Sequence, residues 1–138
     1  MTPVRLHHHP SDRRRGIAAM EFAVCLPILL VLIIGTIEAC TMVYLKQSLS
    51  IAAYEGIRAA VQPNASSVEV TAACDRILNS RNVQSATVTI TPTDFSTQPV
   101  RTWITVRVHA SGTANSVISG WFYDTLVVDG EATMMKEF

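Results

Sequence analysis

Residues 13–44 read RRRGIAAMEFAVCLPILLVLIIGTIEACTMVY, and this stretch decides what kind of protein the chain is. Arg13, Arg14, Arg15 and Gly16 lead directly into Ile17–Tyr44, where Lys, Arg, Asp, Asn and Gln are all absent. Only two acids interrupt that run, Glu21 near its start and Glu38 near its end. As a helix it would extend roughly 42 Å, enough to cross a hydrocarbon core of about 30 Å with some tilt. The arginines then orient the segment, because cations flanking a membrane helix stay on the cytoplasmic side.

The surrounding composition agrees. The chain has 138 residues, a hydrophobic content of 49%, a mean hydropathy of +0.28 and a formal net charge of zero. That zero is an average over an uneven chain: Arg5, Arg13, Arg14 and Arg15 face only Asp12 in residues 1–16, and the remainder is net acidic. One small exported domain fits in the residues left after the apolar run. A cleavable secretory signal has an apolar core of about 7–15 residues, and this run is about twice as long. Ile37-Glu38-Ala39-Cys40 approaches a lipoprotein signal, but Glu38 stands where an uncharged residue is required. A basic arm beside a membrane span argues for orientation rather than nucleic-acid binding. His7, His8 and His9 are adjacent and cannot all face one ion, so they read as non-functional.

Pro27 predicts a kink, which a membrane environment tolerates. Beyond the span the helix is expected to continue to about Val61. Leu45, Leu49, Ala52, Gly56 and Ala60 share one face, and Gln47, Ser50, Tyr54 and Arg58 lie opposite. Ile51 and Ile57 fall off that stripe and suggest a second contact surface. Pro63-Asn64 ends the helix. Ser66 and Glu69 form a capping box for a second helix, with Val70, Ala73, Cys74, Ile77 and Leu78 as its apolar stripe.

The period then changes to two. Ala86, Val88 and Ile90 alternate with threonines up to Pro92, and residues 93–99 read as a polar loop. A second strand, about Arg101–Ala110, places Ile104, Val106 and Val108 on one face and Trp103, Thr105, Arg107 and His109 on the other. Asn115–Trp121 suggests a helical turn, with Trp121, Phe122 and Tyr123 closing over the sheet edge. A third strand spans about Leu126–Met135, with a bulge expected at Gly130. The fold class is α+β: a long N-terminal transmembrane and amphipathic helix, a short second helix and a three-stranded antiparallel sheet. Its expected divisions are residues 1–16, 17–44 and 45–138.

Glu21 is the residue that needs a reason, because an ionisable group in a membrane segment costs several kcal/mol unless paired. One account places it at the interface, reaching water beside the arginines. The other pairs it with an amine: a cut after Gly16 would create an α-ammonium at Ile17, about one helical turn away. Glu38 reads as an interfacial anchor or as a second assembly charge. Glu55 and Arg58 can form an exposed pair of about 0.3 kcal/mol, either merely solvated or touching a neighbour. Cys25 and Cys40 lie about 22 Å apart along the helix and cannot pair within a chain. With Cys74 they read as small buried apolar residues, and no metal-ligand spacing is present. Asp124, Asp129, Glu131 and His109 lack a nucleophile or catalytic spacing, and no cofactor motif appears, so no enzyme is expected.

Basic residues, Gly16, Ile17-Ala18-Ala19-Met20-Glu21 and a long apolar helix resemble the cleavage site of type IV prepilins. Arg14 to Ala23, Leu26-Pro27, Gly35 and Glu38 are similar to the TadE-like pseudopilins of tight-adherence (Flp) pilus systems. Ala52 to Ala60 resembles the end of that family's long helix, and Glu131 to Met135 its closing strand. A phenylalanine commonly follows the cut, whereas this chain has Ile17. The resemblance implies a leader removed after Gly16 by a prepilin peptidase. It also implies a single-pass protein of the bacterial inner membrane, with its N-terminus cytoplasmic, and partnership with sibling pseudopilins and the pilus assembly machinery. Two alternatives stand beside it: an uncleaved signal-anchored binding module, and a minor pseudopilin of a secretion system.

Overall fold

One helix supplies both the apolar run and the floor of the C-terminal domain. In the computed structural model, which describes residues 10–118 and 125–137, α1 runs Pro10–Ala60. It therefore starts within residues 1–16, the division that the resemblance above implies to be a leader. A proline at the first helical position loses no hydrogen bond, since that amide has no partner within a helix anyway. The helix continues through Pro27. The leader positions 1–9, including His7, His8 and His9, lie outside the described residues, as do Trp121, Phe122 and Tyr123.

The chain divides into two units, Met1–Thr36 and Ile37–Phe138. In the first, every residue from Gly16 to Ile33 is exposed, including Met20 and Val24 at 71%. Among the described residues there is one helix long and apolar enough to cross a membrane, within Gly16–Ala60. Its most apolar window has a mean hydropathy of 2.7 and no buried residue. Such a surface is stable only in apolar surroundings.

The second unit is a sheet laid on helices. α2 is Ser67–Ser80, β1 Ala86–Thr91, β2 Trp103–Ser111, α3 Gly112–Asn115 and β3 Val127–Met135. The sheet order is β1-β2-β3, antiparallel throughout. α2 opens as expected: the Glu69 amide donates to Ser66 Oγ at 3.3 Å, and the Ser66 amide donates to Glu69 Oε2 at 3.0 Å. Satisfying two otherwise unpaired amides this way is what starts the helix at Ser67. Ile104, Val106, Val108 and Ala110 all turn inward from β2, as strict alternation requires.

Those side chains meet Met42, Leu45, Leu49, Ala52, Ala53, Ile57 and Ala60 of α1, with Val70, Cys74 and Leu78 of α2. Ile57, expected off the stripe, is fully buried, because α2 widens the arc of α1 that is covered. The closest approaches are made at glycines. A methyl group on Gly56 would overlap Cys74 Sγ and come within 3.1 Å of Val106 Cγ1. One on Gly130 would overlap the backbone of Leu49 and Ser50.

Gly130 is therefore not a bulge. Its register is unbroken, with Val108 opposite it between the His109–Asp129 and Arg107–Glu131 pairs. Glycine stands there because the α1 backbone crosses β3 too closely for any side chain. Two other expectations also change. Phe95, in the segment read as a polar loop, is 2% exposed and closes the core, while Lys136 Nζ donates to the carbonyls of Phe95, Ser96 and Gln98 at 3.2, 2.9 and 3.0 Å. α3, at Gly112–Asn115, overlaps the turn expected over Asn115–Trp121 only at Asn115; residues 116–118 are not helical, and residues 119–121 lie outside the described residues. α3 stops where the Asn115 side chain turns to the Gln84 backbone, accepting from its amide at 2.8 Å and donating to its carbonyl at 2.9 Å.

Gly130→Ala is expected to cost about 3 kcal/mol, since backbone rather than a flexible side chain must move. Gly35→Ala, with open space around it, should leave the fold unchanged. Thermal unfolding of the full chain in detergent, followed by circular dichroism, separates the two.

Candidate functional site

The two acids of the apolar helix meet opposite fates. Glu21 is exposed, and among the described residues it has no hydrogen-bond or ion-pair partner. It follows Ile17 by one helical turn, so the two share a face of α1. Arg13, Arg14, Arg15 and Gly16 occupy the preceding turn of the same helix.

Glu38 is only 1% exposed. Ser116 Oγ donates to its Oε1, and the Val117 amide donates to Oε2 at 3.2 Å. It is neither an interfacial anchor nor a free assembly charge. Its carboxylate holds the segment after α3 against the helix, within the second unit. Sequence reasoning missed this because the donors stand 78 and 79 residues away. A signal was present: Glu38 precedes Met42 and Leu45 by helical steps of four and seven residues, so it belongs to the same buried stripe.

The remaining candidates are surface features. Arg58 Nη1 lies 3.4 Å from Glu55 Oε1, with both side chains well exposed. Such a pair is worth a few tenths of a kcal/mol. On the outer face of the sheet, Arg107 reaches Asp129 at 3.2 Å and Glu131 at 3.6 Å. Trp103, 64% exposed, borders a cleft of about 530 Å³ with Val61, Gln62, Thr133, Met134, Met135 and Glu137. Among the described residues no group of three His, Cys, Asp or Glu side chains is placed to hold a metal.

The cysteines divide. Cys25 and Cys40 are exposed, contrary to the buried reading, because no described residue covers them. Cys74 is buried, donates to the Ala52 carbonyl at 3.3 Å, and has its thiol pushed up to about 11 from the ordinary 9.0. Burial is the main cause, and the neighbouring Asp75 charge adds to it.

Two outcomes follow from this geometry. Glu38→Ala leaves the half-buried Ser116 hydroxyl and the Val117 amide without this acceptor, and because water can reach those donors the cost is about 1 kcal/mol. Amide hydrogen exchange at Val117 should rise in that variant before exchange in β2 does. For Cys74, the folded state favours the protonated thiol. Its contribution is complete below pH 9 and is lost as pH rises through about 11. Alkylation of the native protein at pH 8 should accordingly spare Cys74, and denaturant should expose it.

Residues 16–58 match the model of the family described as TadE-like protein. No curated protein and no solved structure matches the chain. The similarity to that family therefore covers Gly16 to Arg58, the stretch that holds both acids and the helix face beneath the sheet.

Proposed function

We propose that this protein is a structural, non-catalytic pseudopilin of a Tad (Flp) pilus system. A prepilin peptidase removes the leader after Gly16. The mature chain is held in the bacterial inner membrane by the apolar part of α1, with the arginines on the cytoplasmic side and the α+β domain outside. Sibling pseudopilins and the pilus assembly machinery are its partners, and no cofactor or nucleic acid enters the role.

The observation that carries this reading is the contrast between the acids. Glu38 is consumed by Ser116 and Val117, so Glu21 is the acid in the apolar run left open to another group. An α-ammonium at Ile17, on the same chain or on a neighbour, supplies the complement. At about 4 Å and an effective dielectric near 20, such a pair attracts by about 4 kcal/mol, which offsets much of the desolvation of two charges. Gly16 and Ile17 lie within α1, so a peptidase must first open the early turns. Glycine lowers that cost by about 1 kcal/mol relative to alanine.

The test combines processing with assembly in the native cell. Mass spectrometry of the mature protein should find Ile17 as the first residue, and Gly16→Glu should retain the leader. Glu21→Ala should insert and be processed normally but fail to enter, or fail to prime, the fibre. Normal assembly by Glu21→Ala would remove the proposed role of the carboxylate. A wild-type chain that keeps its leader while fully active would instead be an anchored binding module.

A further inference from the structure

The sheet ends on β3, and the two halves of that edge differ. In an antiparallel ladder the amide and carbonyl of one residue point to the same side, and successive residues alternate. At both ends of β3 an even-numbered residue turns toward β2 and its continuation. The Gly112 amide donates to the Leu126 carbonyl at 2.8 Å, and the Lys136 amide donates to the Thr102 carbonyl at 2.9 Å. The register between these points is unbroken. The main-chain groups of Asp129, Glu131, Thr133 and Met135 therefore point out of the sheet. Lys46 Nζ reaches the Asp129 carbonyl from that side, as this assignment requires. A lysine on an edge strand stops further pairing, so the first half of the edge is closed. Among the described residues nothing does the same for Glu131, Thr133 and Met135, all of which are exposed.

The cleft of about 530 Å³ lies along this open half, where Thr133, Met134 and Met135 line it. Val61 and Gln62, just past the end of α1, line it too, and so does Trp103, the register partner of Met135 on the outer face. We infer that the edge from Glu131 to Met135 receives an extended segment of another polypeptide as a fourth, antiparallel strand. That segment carries a bulky apolar side chain beside Met135 and Trp103, and a Lys or Arg beside Glu131. The inference uses the second unit alone, so it stands apart from leader processing and from the role of Glu21.

The backbone selects the class of partner. Amides and carbonyls repeated at every second residue are matched together by another extended main chain, whereas a ligand held by side chains would fill the cleft and leave them to water. The side chains select within that class. Ala132 and Met134 pack against the core, so the residues opposite them face inward and are apolar. Arg107 lies nearer to Asp129, at 3.2 Å, than to Glu131, at 3.6 Å, and the Glu131 side chain stays 49% exposed. A cation from the partner complements it. The edge strands of a second copy do not fit this pattern. Its β3 would bring Asp129 and Glu131 against the same acids, and its β1, Ala86–Thr91, has no cation.

The test is a peptide built to this pattern, fluorescein-Gly-Gly-Phe-Val-Thr-Val-Lys-amide, titrated with the full-length chain in detergent and followed by fluorescence anisotropy. Antiparallel pairing sets its Phe opposite Met135, its Thr opposite Thr133 and its Lys opposite Glu131. Two isomers carry one N-methyl group, either on the Thr amide, which points at β3, or on the next Val amide, which points away. They have the same composition, so micelle uptake does not separate them. The Thr isomer should bind about tenfold more weakly, and the Val isomer like the parent. Thr133→Pro, at an edge amide where proline is tolerated, should abolish binding while thermal unfolding by circular dichroism is retained. Glu131→Lys should reverse the preference between this peptide and one ending in Glu. Absence of binding at about 1 mM peptide would overturn the inference. So would equal binding of the two isomers, which would mean that side chains alone hold the ligand. A chain that is dimeric without peptide and becomes monomeric in Thr133→Pro would give the edge to a second copy instead. If Thr133→Pro unfolds, the isomer pair still decides.

Discussion

The crossing of β3 over α1 at Gly130 is the contact on which the C-terminal domain depends. Here the α1 backbone at Leu49 and Ser50 comes so close that no side chain fits between helix and strand. Once that approach is set, β2 lies alongside through its continuous register with β3, and its inward side chains reach Leu49, Ala52 and Ile57. Gly56 makes the matching close approach to Cys74 and Val106, which seats α2 on the same helix. Small residues at both points let backbones approach until dispersion contacts are dense, and a single added methyl would lose them.

That seating also settles how the helix's polar groups are used. With the sheet on one side, the stripe that begins with Met42 and Leu45 extends back one turn to Glu38, which lies inside the domain. A carboxylate there is tolerable only because a hydroxyl and an amide donate to it. Glu21 has no such donors among the described residues and stays exposed in an otherwise apolar run. Two acids of the same type, on one helix, are thereby assigned different work by their neighbours alone.

Much of this was legible in local spacing. The long apolar helix, the Ser66–Glu69 cap, the alternation of β1 and β2 and the α+β class all follow from residues one or two turns apart. The misreadings have a common cause. Gly130 carries the usual mark of a bulge, yet its reason lies in a helix backbone far away in sequence. Phe95 sits in a stretch of Thr, Asp, Ser and Gln, so its isolated ring gave no period to read. Ile57 lies off the α1 stripe and suggests a second contact surface, but that α2 is what covers it is not visible from that stripe. The start of α1 at Pro10 lies ahead of the apolar run, where no hydrophobic period marks a helix, and proline is well suited to the first helical position.

The amino-acid order alone determined that one helix must be apolar all around in its first half and one-sided in its second, because helical and strand periods depend only on neighbours along the chain. It also determined that an acid stands one turn past a glycine beside three arginines. Tertiary structure alone decided which of the two acids is spent within the chain, which glycine marks a backbone crossing, and which helix face remains open. Those outcomes depend on groups about 80 residues apart, Val117 with Glu38 and Gly130 with Leu49, meeting at hydrogen-bond or van der Waals distance, and no local period encodes that.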